Sequence, residues 1–74
     1  MNKTLNEAII AHQEGRLSEA ENLYREILKI ESTNVHANNN LGILLYKLGR
    51  FDEALTIFNE LIVIKPDFAE AHNN

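Results

Sequence analysis

Apolar residues recur at steps of three and four in four stretches of this chain, with polar residues filling the other side of each. Leu5, Ala8, Ile9 and His12 mark the first stretch, and Gly15 follows where a left-handed residue would end a helix, which predicts a helix over 3–14. Ala20, Leu23, Tyr24, Ile27, Leu28 and Ile30 form the apolar face of a second helix reaching Glu31, with Ser18 and Glu21 spaced as a capping box. The same scheme predicts helices over 36–48 and 53–64, broken at Gly49 and capped by Asp52. Turns of about three residues must fold successive helices back on each other. Beyond them Pro66 disfavours helix at Lys65, and Asp67 is placed to cap a further helix from Phe68.

The four stretches are one unit used twice. Gly15-Arg16-Leu17, Glu19-Ala20, Tyr24 and Glu26-Ile27 return 34 residues later as Gly49-Arg50-Phe51, Glu53-Ala54, Phe58 and Glu60-Leu61. Laying 1–34 over 35–68 gives eight identities, Asn6/Asn40, Ile9/Ile43 and Ile30/Ile64 among them. That period divides the chain into units at 1–34 and 35–68, and 69–74 reads as the opening of a third copy. The chain is therefore expected to stop inside a helix, as an N-terminal piece of a longer array. Within each unit the small residues Ala8, Gly42, Ala20 and Ala54 would let paired helices approach to their usual ~8–10 Å, and the large Tyr24 and Phe58 would fill the space between units.

This pattern resembles the tetratricopeptide repeat, whose signature runs Trp-x2-Leu-Gly-x2-Tyr, then Ala-x3-Phe, then Pro. The second unit supplies Asn38, Leu41-Gly42, Leu45, Ala54, Phe58 and Pro66, departing at the two aromatic sites of its first helix. The first unit is looser, with Thr4, Glu7, Ala8, Ala11, Ala20, Tyr24 and Ser32 in the corresponding places. The resemblance implies an all-α fold of helix-turn-helix pairs stacked as a short right-handed α-solenoid. The wording of 11–21 and 69–74 is also similar to repeat arrays that precede the catalytic domain of bacterial Spindly-type O-linked N-acetylglucosamine transferase-like proteins, and no catalytic residue carries over from such a domain.

Composition narrows the function. A chain of 74 residues buries only about 60–65% of its unfolded surface, so an enclosed enzyme pocket is not expected. There is no Cys, hence no disulfide framework, thiolate nucleophile or Cys-type zinc site. The opening residues lack the apolar run of a signal peptide, and the longest apolar run, Leu61 to Ile64, is too short for a bilayer. A cytoplasmic location follows as the expectation, and Asn2-Lys3-Thr4 is read as a chance sequon. Seven Lys and Arg against eleven Asp and Glu give a net charge of −4 and no basic stripe for nucleic acid. His12, His36 and His72 occupy different places in the repeat, so no metal or other cofactor is expected. Carboxylates such as Asp52, Glu53, Glu19, Glu21 and Glu26 read as helix-start charges and solvated faces, not as acid/base pairs. Arg50 is expected to point to water.

Asn6, Asn40 and Asn74 are the sharpest candidates for function, because the 34-residue interval places them identically on the first helix of successive units. In the family that helix lines the concave groove, and the resemblance to the transferase arrays implies a similar Asn ladder that holds a peptide by its backbone amides, which a carboxamide serves as both donor and acceptor. A carboxamide that only bonds neighbouring helices would give the same spacing. Helical steps from the ladder add Asn2, Ile9 and Gln13 in the first unit and His36, Ile43 and Lys47 in the second, with Asn39 and Tyr46 at their flank. Leu5 and Ile9 stand where the family's carboxylate clamp wants basic residues, so a chaperone-tail clamp is not expected. The expected role is a non-catalytic scaffold binding a protein or extended peptide in the groove. The alternatives are a self-associating element, closing as a homodimer through an apolar C-terminal edge at Leu55, Phe58 and Ile62, and the substrate-recognition arm of a glycosyltransferase-like parent.

Overall fold

The computed structural model describes residues 2–64, and the predicted third-unit residues, including Asn74, lie outside them. Four α-helices follow one another: α1 (Asn2–Gln13), α2 (Leu17–Ile30), α3 (Val35–Lys47) and α4 (Phe51–Ile64). No strand occurs among the described residues. Helix α1 packs on α2 and α3 on α4, and α2 and α3 join the two hairpins, with α1 also touching α3. The core runs through this stack as Ala8, Ala11, Ala20, Tyr24, Ile27, Ala37, Leu41, Leu44, Leu45 and Ala54.

The two tight turns are built alike. Gly15 and Gly49 take φ of 83° and 80°, the left-handed region that costs other residues about 1–2 kcal/mol. In the first, Arg16 N donates to Ala11 O at 2.9 Å and Gly15 N to His12 O at 3.2 Å; in the second, Arg50 N donates to Leu45 O at 2.9 Å and Gly49 N to Tyr46 O at 3.0 Å. Each is a Schellman closure, which satisfies carbonyls the helix end would leave unpaired. A Cβ at Gly49 would meet nothing within 4 Å, so a side chain there is opposed by backbone conformation and not by crowding. Gly49→Val is expected to lose about 1–3 kcal/mol, and thermal melts should rank it below Arg50→Ala. Equal melting temperatures would show that the left-handed turn is not what holds α3 against α4.

Three expectations need correction. Ser18 and Asp52 do not cap: the closures deliver the chain into helix at Leu17 and Phe51, which leaves Ser18 and Asp52 inside the first turn. Arg16, the residue before α2, makes no side-chain cap bond. Among the described residues Asn34 does cap its helix: its side chain accepts from Ala37 N at 2.9 Å. Arg50 does not simply point to water. Its guanidinium grips Glu21 of α2 with two bonds, at 2.8 and 3.0 Å, and also pairs with Glu53. The Arg50 bonds hold the Glu21 carboxyl below its usual range, burial works against this, and Arg25 adds to the lowering. Glu21, with a side chain only 16% exposed, thus ties the α2 and α4 helices together instead of facing solvent.

Small residues act as expected within the hairpins. Ala8 and Ala20 are fully buried and Ala54 nearly so. Phe58 differs from Tyr24, which has 0% exposure: it is half-buried and its ring lies on Gly42 of the same hairpin. Asn38, standing at the family's Trp position, is buried and donates from Nδ2 to Ser32 O at 3.1 Å and Asn34 O at 2.9 Å. A carboxamide buried there is tolerable because both donors find carbonyls.

Candidate functional site

Helices α1 and α3 lie side by side and present residues one repeat apart to a common cleft. Its volume is about 300 Å³, and it is lined by Ile9, His12, Gln13, Tyr24, Asn40, Ile43 and Lys47. Five of the residues picked out from the repeat register, Ile9, Gln13, Asn40, Ile43 and Lys47, are therefore brought together. Asn6 and His36 are exposed on α1 and α3 but do not line this cleft. Asn74 and the Asn2 side chain lie outside what the structure describes.

Two lining residues were not singled out from the sequence as groove residues. His12 and Tyr24 form the floor, with His12 Nδ1 3.2 Å from the Tyr24 hydroxyl and the rings edge to face at 6.0 Å between centroids. Their sequence separation of 12 crosses the turn between α1 and α2, so no helical period links them. His12 Nε2 is closed off from solvent and has no hydrogen-bond partner among the described residues. Burial lowers the His12 pKa, and the nearby Lys47 ammonium lowers it further. Burial likewise raises the Tyr24 pKa, so at neutral pH both rings are uncharged.

The cleft is chemically mixed. Ile9 and Ile43 supply apolar walls at equivalent places in the two units, Gln13 and Asn40 supply carboxamides, and Lys47 brings the sole charge among the lining residues. The Asn6 and Asn40 carboxamides make no hydrogen bond to the protein among the described residues, so their donors and acceptors are open. No group of three or more His, Cys, Asp or Glu able to hold a metal occurs among the described residues. No helix there is long and apolar enough to cross a membrane.

A second, apolar face lies on the other side of Lys47. Tyr46, Phe51, Ala54, Leu55 and Phe58 surround a depression of about 530 Å³. Tyr46 and Phe51 meet edge to face there at 5.0 Å, and Leu55 is 60% exposed. A family model described as tetratricopeptide repeat matches residues 11–73, from the last residues of α1 through α4 and beyond. No curated protein matches the chain.

Proposed function

We propose that this chain, which belongs to the tetratricopeptide repeat family, is a docking scaffold that holds an extended peptide, or an extended segment of a protein, along α1 and α3. Repeats of this family generally serve protein–protein interaction, and the reading involves no catalysis. The observation that carries it is the open state of the ladder carboxamides: a structural Asn would spend its bonds on neighbouring helices, whereas those of Asn6 and Asn40 find no partner among the described residues and are left for a ligand's backbone. The Ile9 and Ile43 walls would take apolar side chains on either side of that backbone. The arrangement fits the recognition arm of a larger, glycosyltransferase-like parent equally well, since docking is then the same act.

A mixed-sequence peptide array tests this. Asn40→Ala is expected to weaken the captured peptides about tenfold, roughly the 1.4 kcal/mol of a well-placed hydrogen bond, while leaving the melting temperature near that of the parent. Loss of stability with unchanged capture would make Asn40 a structural residue and overturn the reading.

A second reading rests on the apolar face of Tyr46, Phe51, Leu55 and Phe58, which a second copy of the chain could cover as a symmetric homodimer. Sedimentation equilibrium distinguishes it: mass rising above 8.4 kDa with concentration supports self-association, and 8.4 kDa throughout refutes it.

A further inference from the structure

A recess on another part of the molecule has no role in the docking reading. It lies at the end opposite the two glycine turns, where α2 passes into α3 and the last two turns of α4 come alongside. Its volume is about 430 Å³, within the range of small-molecule sites. Leu28 of α2 and Ile57, Val63 and Ile64 of α4 give it apolar walls, and Glu60 is the only charged residue among those that line it.

Two departures from the repeat signature meet there. Asn38 stands in place of the signature's Trp and Ser32 in place of its Pro, and both line the recess. Asn38 turns its amide back onto the carbonyls of Ser32 and Asn34, at 3.1 and 2.9 Å, so it does not fill the space that an indole would take at that position. A further departure is one of charge. Overlaying the units pairs Glu60 with Glu26 and Val63 with Lys29, so the first unit carries a cation one helical turn beyond its carboxylate and the second carries a valine that is 81% exposed. Glu60 has no ion-pair partner among the described residues. The recess thus lacks an aromatic body and a cationic head. We propose that it binds a small arylalkylammonium, with the ring against Leu28, Ile57 and Ile64 in the space left by Asn38 and the ammonium on Glu60. Ser32 adds a hydroxyl that can accept a ring N–H. Walls drawn from two turns of α4 and a single residue of α2 suit a small molecule better than an extended chain. The net charge of −4 favours the approach of a cation.

Tryptamine, protonated at neutral pH, is the probe, set against tryptophol, its uncharged alcohol analogue, and butylamine, which keeps the ammonium and lacks the ring. Carbon–proton NMR of the full chain should show tryptamine shifting the methyl groups of Leu28, Ile57, Val63 and Ile64. It should bind about twofold to fivefold tighter than tryptophol at low salt, the range of a single exposed ion pair, and butylamine should leave the methyls unmoved. Glu60→Gln and Val63→Lys, both at exposed positions outside the core, should each erase the difference between tryptamine and tryptophol. The second of these gives Glu60 the cation that the first unit carries. Asn38→Trp should fill the recess and abolish the shifts from both aromatic probes; if that variant does not fold, the two exposed-site variants decide. Equal binding of tryptamine and tryptophol, a preference that survives Glu60→Gln, or shifts centred on Phe51 and Leu55 overturns the proposal. Binding seen only in Phe68→Ala overturns it too, by making the chain's own Phe68 the occupant.

Discussion

Tyr24→Ala is expected to leave the chain largely unfolded at 25 °C. The Tyr24 ring has 0% exposure and packs within the cluster that joins α1, α2 and α3, while its hydroxyl meets His12 at 3.2 Å. Truncating a buried aromatic to Ala costs about 3–5 kcal/mol, through lost transfer energy and the cavity left behind. A domain of this length commands only about 4–11 kcal/mol in total, and short chains fall toward the lower end. The loss therefore takes most of the stability. Tyr24→Phe separates packing from polarity, since it keeps the ring and gives up only the bond to His12, about 0.5–1.5 kcal/mol. Urea denaturation followed by circular dichroism should place the midpoints in the order parent, Phe, Ala. An Ala variant within about 0.5 kcal/mol of the parent, the range of ordinary surface changes, would mean that Tyr24 is not a core residue.

Gly42→Leu should be the next most damaging change, for the opposite reason. A Cβ at Gly42 would stand 2.8 Å from two carbons of the Phe58 ring, closer than side chains tolerate. In Gly42→Ala a gain of about 1 kcal/mol in helix propensity opposes the cost of moving the ring, so that variant should lie near neutral. Leu adds three more carbons and no comparable gain, and overpacking of this kind costs about 1–3 kcal/mol or more. Moving the Phe58 ring off Gly42 would loosen the close approach of α3 and α4. Phe58→Leu made in the Gly42→Leu background should recover part of the loss. Thermal melts decide the matter: a Gly42→Leu variant as stable as the parent, or no recovery in the double variant, would show that the close approach of α3 and α4 does not depend on this position.

Several of these features could be read from residue types alone, and the reasons are local. Gly15 and Gly49 announce their turns because the left-handed conformation excludes most other residues. The helices follow from apolar periodicity, which is a property of each stretch by itself. Starts were harder to place. Ser18 and Glu21 satisfy the capping-box spacing, but the Schellman closure at Gly15 feeds Leu17 into helix directly and leaves Ser18 with no cap to form. Asn34, which does cap, gives a weaker signal because the third residue of its helix is Ala37 and not the Glu or Gln of a capping box. The grip of Arg50 on Glu21 spans 29 residues and two units, so no local pattern could announce it. The same holds for His12 and Tyr24 beneath the cleft. The cleft's rim is different: Ile9, Gln13, Asn40, Ile43 and Lys47 share a register, and the repeat period alone places them on one side of α1 and α3.

The docking account is tested most directly by mapping where a captured peptide lands. An isotope-labelled chain titrated with the strongest peptide from the array should show its largest amide shifts at Gln13, Asn40, Ile43 and Lys47, with the Asn40 and Gln13 side-chain carboxamides moving in step. Shifts concentrated instead on Tyr46, Phe51, Leu55 and Phe58, with the cleft unmoved, would place the ligand on the apolar face and contradict the account.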